Sequence, residues 1–237
     1  MARKKVVFVI VEGMSDSEAL SLVLSKFYDK QTVYVHIMRR DITSEPGVTS
    51  ANIVTKITEA AKQYANVYRL KNEHFQEIIH LVDMDGAYIS DDAVVEDPDA
   101  IDPVYSTAEI RTKNKAGIEF RNACKRSNLD RLIATNKGWS IPYKVYYMSC
   151  NLDHVLYNKL NSSDEEKEAD AHAFSKQYKD DVPGFLAFMC ESDFSVVDDY
   201  KSSWRYIRQD MHSLERHTNF GLSFLKEKDV DGSRQQT

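Results

Sequence analysis

KVVFVIVEGMSD, Lys5 to Asp16, decides the fold. Lys5 to Val11 is β-branched or aromatic almost throughout, with no polar break, and it ends abruptly in Glu12 and Gly13. A strand with one wet face alternates polar and apolar residues, so an unbroken apolar run predicts a strand covered on both faces. IIHLVDMDGAY, Ile78 to Tyr88, has the same design, with Asp83, Asp85 and Gly86 after the apolar run. Between the two, Leu20, Val23, Leu24 and Phe27 mark a helix, with Ser15 as its cap and Glu18 completing a capping box. A second strand is predicted over Val33 to Met38. After the break at Pro46-Gly47, a long helix is predicted over Thr49 to Tyr68, with Ile53, Ile57, Ala60 and Ala61 on one face. Strand, helix, strand, helix, strand is the order of a parallel sheet flanked by helices, an α/β protein.

After Gly86 the pattern dissolves. Residues 90–103 are acidic, carry two prolines and show no periodicity, which predicts an exposed loop inserted in the domain. Ala116 to Ala134 is a predicted helix bearing Arg121, Lys125, Arg126 and Arg131, a basic face expected to be solvated. A fourth strand is expected over Lys144 to Met148 and a helix over Asn151 to Leu160. The polar run from Asn161 to Asp170 is the expected boundary between a domain of residues 1–160 and a helical extension of residues 161–237. Trp204, Tyr206, Ile207, Leu214 and Phe220 are its expected buried anchors. No internal repeat is present.

The chain has 237 residues, 42% of them hydrophobic and 29% charged, as in an ordinary globular protein. No apolar run reaches the ~20 residues of a membrane span. Three scattered cysteines suggest neither a disulfide framework nor a zinc site, so a cytoplasmic location is expected. The net charge of −6 argues against a passive nucleic-acid binder, whose affinity comes from neutralising phosphates. An enzyme that meets phosphates through bound metal ions can be acidic.

Ligands of open parallel sheets bind at the carboxyl ends of the strands. If the first and third strands are neighbours, Glu12, Asp83 and Asp85 meet at one edge. Carboxylates crowded together repel and tend to hold protons. A divalent cation with oxygen ligands, such as magnesium, relieves that repulsion.

A strand ending in Glu12-Gly13 with Asp16 beyond it, and a later strand ending in Asp83-Met84-Asp85-Gly86, resemble the TOPRIM domain of topoisomerases, primases and related nucleases. EGMSDSEAL looks most like the nuclease branch of the OLD (overcoming lysogenisation defect) type. The resemblance covers roughly residues 5 to 160 and implies a TOPRIM/Rossmann-like fold with metal-dependent cleavage of DNA or RNA. It implies that Glu12 serves acid–base chemistry and metal binding, that Asp83 and Asp85 bind metal, and that Asp16 helps to hold a metal. A further acid commonly ends a later strand of such nucleases in a Ser-x-x-x-Glu arrangement. Here Ser149 is followed by Asp153, which is thereby a fifth candidate ligand; alternatively it interacts with a helix dipole. Two Mg2+ or Mn2+ ions are implied, as is one basic side chain at the scissile phosphate that the sequence does not single out. Small nucleases of this type are often associated with phage defence and work with a partner ATPase. This chain has no phosphate loop of its own, so that ATPase would be a separate chain.

Two alternatives stand beside this reading. LVDMDGAY also resembles the first motif of haloacid-dehalogenase-type phosphatases, where Asp83 would be a covalent nucleophile and Asp85 an acid/base. That chemistry also needs a later lysine and a pair of acids, for which Asp198-Asp199 is a weak match. The other alternative is a TOPRIM-like scaffold or sensor without turnover. His154, His212 and His217 have no metal-ligand spacing and are expected to be structural or exposed.

Overall fold

The structure is a computed structural model and describes residues 4–28 and 33–225. Its order begins β1 (Lys5–Val11), α1 (Met14–Phe27), β2 (Val33–Arg39), α2 (Ile53–Val67) and β3 (Phe75–Asp83). Three short strands follow, β4 (Val94–Glu96), β5 (Val104–Tyr105) and β6 (Ile110–Thr112), and then the long α3 (Lys115–Ile133). The chain continues through β7 (Lys137–Gly138), β8 (Ile141–Ser149), α4 (Leu152–Tyr157), α5 (Asp164–Tyr178), α6 (Val182–Glu191), α7 (Tyr200–Tyr206) and β9 (His217–Thr218). No helix among the described residues is long and apolar enough to cross a membrane.

The central sheet runs β2-β1-β3-β8-β7, with β9 also paired to β8. Strands β2, β1, β3 and β8 are parallel, while β7 and β9 pair antiparallel with β8. The protein is therefore an α/β fold with a mostly parallel sheet between helices, as the unbroken apolar strands predict.

Successive side chains of β1 enter opposite layers. Val6, Phe8 and Ile10 join Ile53 and Ile57 of α2, Leu129 of α3 and Trp204 of α7. Val7, Val9 and Val11 join Leu20 and Leu24 of α1, Phe174 of α5 and Phe185 of α6. Period-two alternation thus sends one strand into two cores, and both require apolar residues. Each fully buried large side chain stabilises the fold by about 1.5–3 kcal/mol relative to exposure. The segment past Asn161 shares these cores: Ala171, Phe174 and Tyr178 of α5 lie at helical spacing in the layer that α1 closes. Ser163 caps α5, accepting from Glu166 N, while the Glu166 carboxylate accepts from Ser163 N. Among the expected anchors, Trp204, Ile207, Leu214 and Phe220 are buried and Tyr206 is half-buried. The last twelve residues of the expected extension, 226–237, lie outside the described residues.

Two local expectations are corrected. Helix α1 begins at Met14, so Gly13 is its cap, and Asp16, not Glu18, returns its carboxylate to the cap N–H at 2.8 Å. Residues 90–103 are not simply a loop. β4 lies in them, and β4, β6 and β5 form a small sheet whose Val94 and Ile110 are fully buried beside Leu214. Alternating acids around buried valine and isoleucine read as a charged loop in one dimension and as an edge sheet in three.

Candidate active site

Strands β1 and β3 are adjacent and parallel, so their carboxyl ends deliver Glu12 and Asp83 to one edge. Glu12 Oε1 accepts from Asp83 N at 3.2 Å and from Thr43 Oγ1 at 3.2 Å. Asp83 Oδ1 accepts from Leu152 N, the first helical residue of α4, at 3.0 Å. The chain then turns sharply. Asp85 and Gly86 have φ of +48° and +67°, the left-handed region that aspartate tolerates and glycine prefers. The turn is held from beneath: Asp85 N donates to Cys150 O at 2.7 Å and Gly86 N to Ser213 O at 3.1 Å. A Cβ on Gly86 would stand 2.7 Å from Leu214 Cδ2, so bare backbone is required there.

Lys125 closes the cluster from α3. Its side chain is fully buried, with Nζ 2.5 Å from Asp85 Oδ2 and 3.7 Å from Glu12 Oε1. Arg121, one turn earlier on α3, donates to Asp85 O at 2.7 Å and to Tyr105 Oη at 2.6 Å, tying the inserted sheet to the acid turn. The expectation of a solvated basic face therefore fails for Lys125. A signal for it was available: Ile118, Asn122, Lys125, Leu129 and Leu132 form one buried stripe at helical spacing, and Lys125 lies within it.

The electrostatics separate the acids. Burial pushes the Glu12 carboxyl up to about 8, with Lys125 opposing and Asp41, Asp85 and Asp16 adding. Burial, reinforced by Glu12, Asp16 and Asp85, lifts Asp83 well above the usual carboxylate range. At Asp85 burial acts upward too, but Lys125 and Arg121 outweigh it and hold the group low. Burial alone would drive the proton off Lys125; Asp85, Glu12, Asp41 and Asp83 reverse this and hold it charged. At neutral pH the site thus contains an ionised Asp85–Lys125 pair beside a Glu12 carboxyl that holds its proton and an Asp83 carboxyl shifted in the same direction.

Asp16 is buried, with Oδ2 on Gly13 N at 2.8 Å and Oδ1 3.3 Å from Ser15 Oγ. Its charge raises the carboxyls of Glu12, Asp83 and Asp153 alike, which places it between the cluster and α4. Asp153, in the first turn of α4, is 6% exposed and its Oδ1 has no hydrogen-bond partner. Burial pushes it up to about 6, Lys167 opposing and Asp16 and Asp170 adding. The structure thus brings Glu12, Asp83 and Asp85 to one edge, Glu12 hydrogen-bonded to Asp83 N and both Glu12 and Asp85 ion-paired with Lys125, with Asp16 and Asp153 as a flanking pair. His154 is structural, its Nδ1 accepting from Cys150 N at 3.2 Å. Among the described residues, no three His, Cys, Asp or Glu side chains are placed to grip one metal ion as they stand. Lys125 provides the positive charge between Glu12 and Asp85 instead.

Asp198 and Asp199 line a cavity with Glu77, Pro142 and Lys144, at the amino ends of β3 and β8. That is the sheet edge opposite Asp83. Comparison with protein-family models, curated proteins and solved structures finds no match for this chain.

Proposed function

We propose that the protein is a metal-dependent nuclease, hydrolysing phosphodiester bonds of DNA or RNA at the edge formed by Glu12, Asp83 and Asp85. The observation that carries this reading is the Glu12–Asp83 contact across adjacent parallel strands, which joins two motifs 71 residues apart. The donor set is oxygen only, which suits magnesium or manganese, and the buried acids have a net repulsion that such a cation would relieve. Asp83 and Asp85 would hold one ion, with Glu12 bridging to it or serving as general base, and Asp16 with Asp153 a second; the carboxylates would have to turn from their present positions to do so, and the ions would supply an activated water and stabilise the leaving oxygen.

The chain's own groups have separate tasks. Glu12, with its carboxyl near 8, is poised to take or return a proton close to neutral pH. Thr43 Oγ1 and Asp83 N fix its Oε1. Lys125 is the basic side chain beneath the acids: it stays charged, is fully buried and offsets Asp85, so it positions that carboxylate from the protein side.

The phosphatase alternative gains a lysine in Lys125, but Asp198 and Asp199 sit at the wrong sheet edge for it. A role in phage defence with a separate ATPase extends the proposal; co-purification from the native host without any ATPase counts against it. The direct test is cleavage of labelled plasmid, single-stranded DNA and transfer RNA with magnesium, manganese or EDTA. Metal-dependent cutting lost in Glu12→Gln and in Asp83→Asn supports the nuclease. Loss in Asp83→Asn alone, with turnover of small phosphoesters, supports the phosphatase. No cutting under any condition leaves the non-catalytic scaffold or a nuclease that needs its partner ATPase, which adding that partner distinguishes.

A further inference from the structure

Lys125 and Arg121 are both engaged with Asp85, so neither is free to meet a phosphate that arrives at the acids. A cavity beside the acid cluster holds another cation. It measures about 920 Å³ and is lined by two segments, one within residues 97–105 of the inserted sheet and the other by Asn151 and residues 161–167. That is the upper end of the ~300–1,000 Å³ range of ligand pockets. Its lining reaches both acid motifs. Tyr105 Oη accepts from Arg121, which also holds Asp85 O, and Asn151 directly precedes Leu152, whose N–H holds Asp83 Oδ1.

Lys167, near the start of α5, is the only base among the described residues that line this cavity. It is half-buried, and its ammonium has no ion pair or hydrogen bond to any described residue. Its charge pulls down the carboxyls of both Asp85 and Asp153, which sets it between the acid turn and the flanking pair. The other bases nearby are occupied: Arg126 donates to Ala87 O at 2.8 Å, Arg216 to Val155 O at 2.7 Å, and Lys159 pairs with Asp170 at 2.6 Å. Three ammonium donors without a protein acceptor are open to the oxygens of a ligand. We propose that Lys167 is the side chain that meets the scissile phosphate, its ammonium donating to a non-bridging oxygen while the acids hold the phosphate through metal. Lys167 contributes charge and gives up no proton. Water adds to phosphorus, the bond to the leaving sugar oxygen breaks, and the ammonium offsets the charge that gathers on the non-bridging oxygens. Asp97, Asp99 and Asp102 in the inserted segment repel further phosphates, so the cavity admits one phosphate at its Lys167 end and not a run of backbone. This rests on the nuclease reading and adds to it the cation at the substrate.

The test reads the phosphate contact apart from cutting. A fluorescein-labelled DNA oligonucleotide, as a single strand and as a duplex, is titrated with the full chain in calcium over a series of salt concentrations. Anisotropy gives the affinity, and a gel checks that the probe stays intact. Each phosphate contact adds to the slope of log affinity against log salt, so Lys167→Met is expected to make that slope shallower by about 0.7 on the single strand or about 0.9 on the duplex. Lys176→Met is the control. It removes the same charge from the same helix, at a site lined by Glu18 and His172 and away from the acids, and is expected to leave the slope unchanged. Lys167→Arg, which keeps the charge, is expected to restore the slope. In magnesium, Lys167→Met is expected to lower kcat/KM for cleavage about a hundredfold, with its urea midpoint at the wild-type value. An unchanged slope in Lys167→Met, an equal change in Lys176→Met, or no binding of either probe overturns the assignment. A slope change confined to Lys167→Met in a chain that never cuts keeps the contact and sinks the nuclease. Cutting that is lost in Glu12→Gln and intact in Lys167→Met sinks the contact and keeps the nuclease.

Discussion

Glu12→Gln should make the metal-free protein more stable, by an amount that grows with pH. Burial places the Glu12 carboxyl at about 8 in the folded state, against 4.5 for an unperturbed glutamate. Between those values the unfolded chain has lost the proton and the folded chain still holds it. Stability is therefore full below the lower value and falls as pH rises towards the upper one, by about 1.4 kcal/mol per pH unit. Relative to acid, the wild-type fold should lose on the order of 1 kcal/mol by pH 5 and on the order of 3 kcal/mol by pH 7 from this one group. Glutamine retains an oxygen that can accept from Thr43 Oγ1 and Asp83 N, and it does not titrate. Urea unfolding in EDTA at pH 5, 6, 7 and 8 reads the difference directly. The variant should lead by about 1 kcal/mol at pH 5 and about 3 kcal/mol at pH 7, with the gap levelling off beyond about pH 8. A gap that stays constant with pH, or shrinks as pH rises, would refute the assignment of a buried, proton-holding Glu12. Magnesium should narrow the gap at pH 8, because it binds the ionised wild-type site and stabilises the folded state by mass action.

Lys125→Met should cost about 3–5 kcal/mol at neutral pH, since it strands the ionised Asp85 in the interior; adding Asp85→Asn should recover part of it, which a double-mutant cycle by urea unfolding measures. The Asp85 group is held low, so its stabilisation is present at neutral pH and is lost as pH falls through the acid range; the acid limb of the stability curve should flatten in Lys125→Met. Gly86→Ala, with φ at +67° and a new Cβ against Leu214, should destabilise by about 1–3 kcal/mol and lower cleavage, checked by urea midpoint and by gel assay. Asp153→Asn should reduce metal-dependent cutting less than Asp83→Asn does; equal losses would move Asp153 into the same group as Asp83.

Much of this protein could be read along one dimension. The apolar runs ending at Val11 and Val82 specify doubly covered strands, because nothing in them could face water, and doubly covered strands alternating with helices imply a parallel sheet. The carboxylates at their ends follow from the same punctuation, a polar residue and a glycine where an apolar strand stops. What remained conditional was whether those ends meet. Strand neighbours are chosen by long-range pairing and packing, and only the adjacency of β1 and β3 puts Glu12 Oε1 on Asp83 N. Lys125 shows the same division. Its helix was legible, but its charge suggested solvent, and burial is tolerated only because the ionised Asp85 arrives from another part of the chain to hold it charged. The acid insertion failed as a loop for a related reason: Val94 is buried by Ile110 and Leu214, residues far from it in the chain. Local periodicity determines which elements form and which faces are dry. Only tertiary structure decides which buried charges meet, because the energy that permits a buried charge lies in its partner.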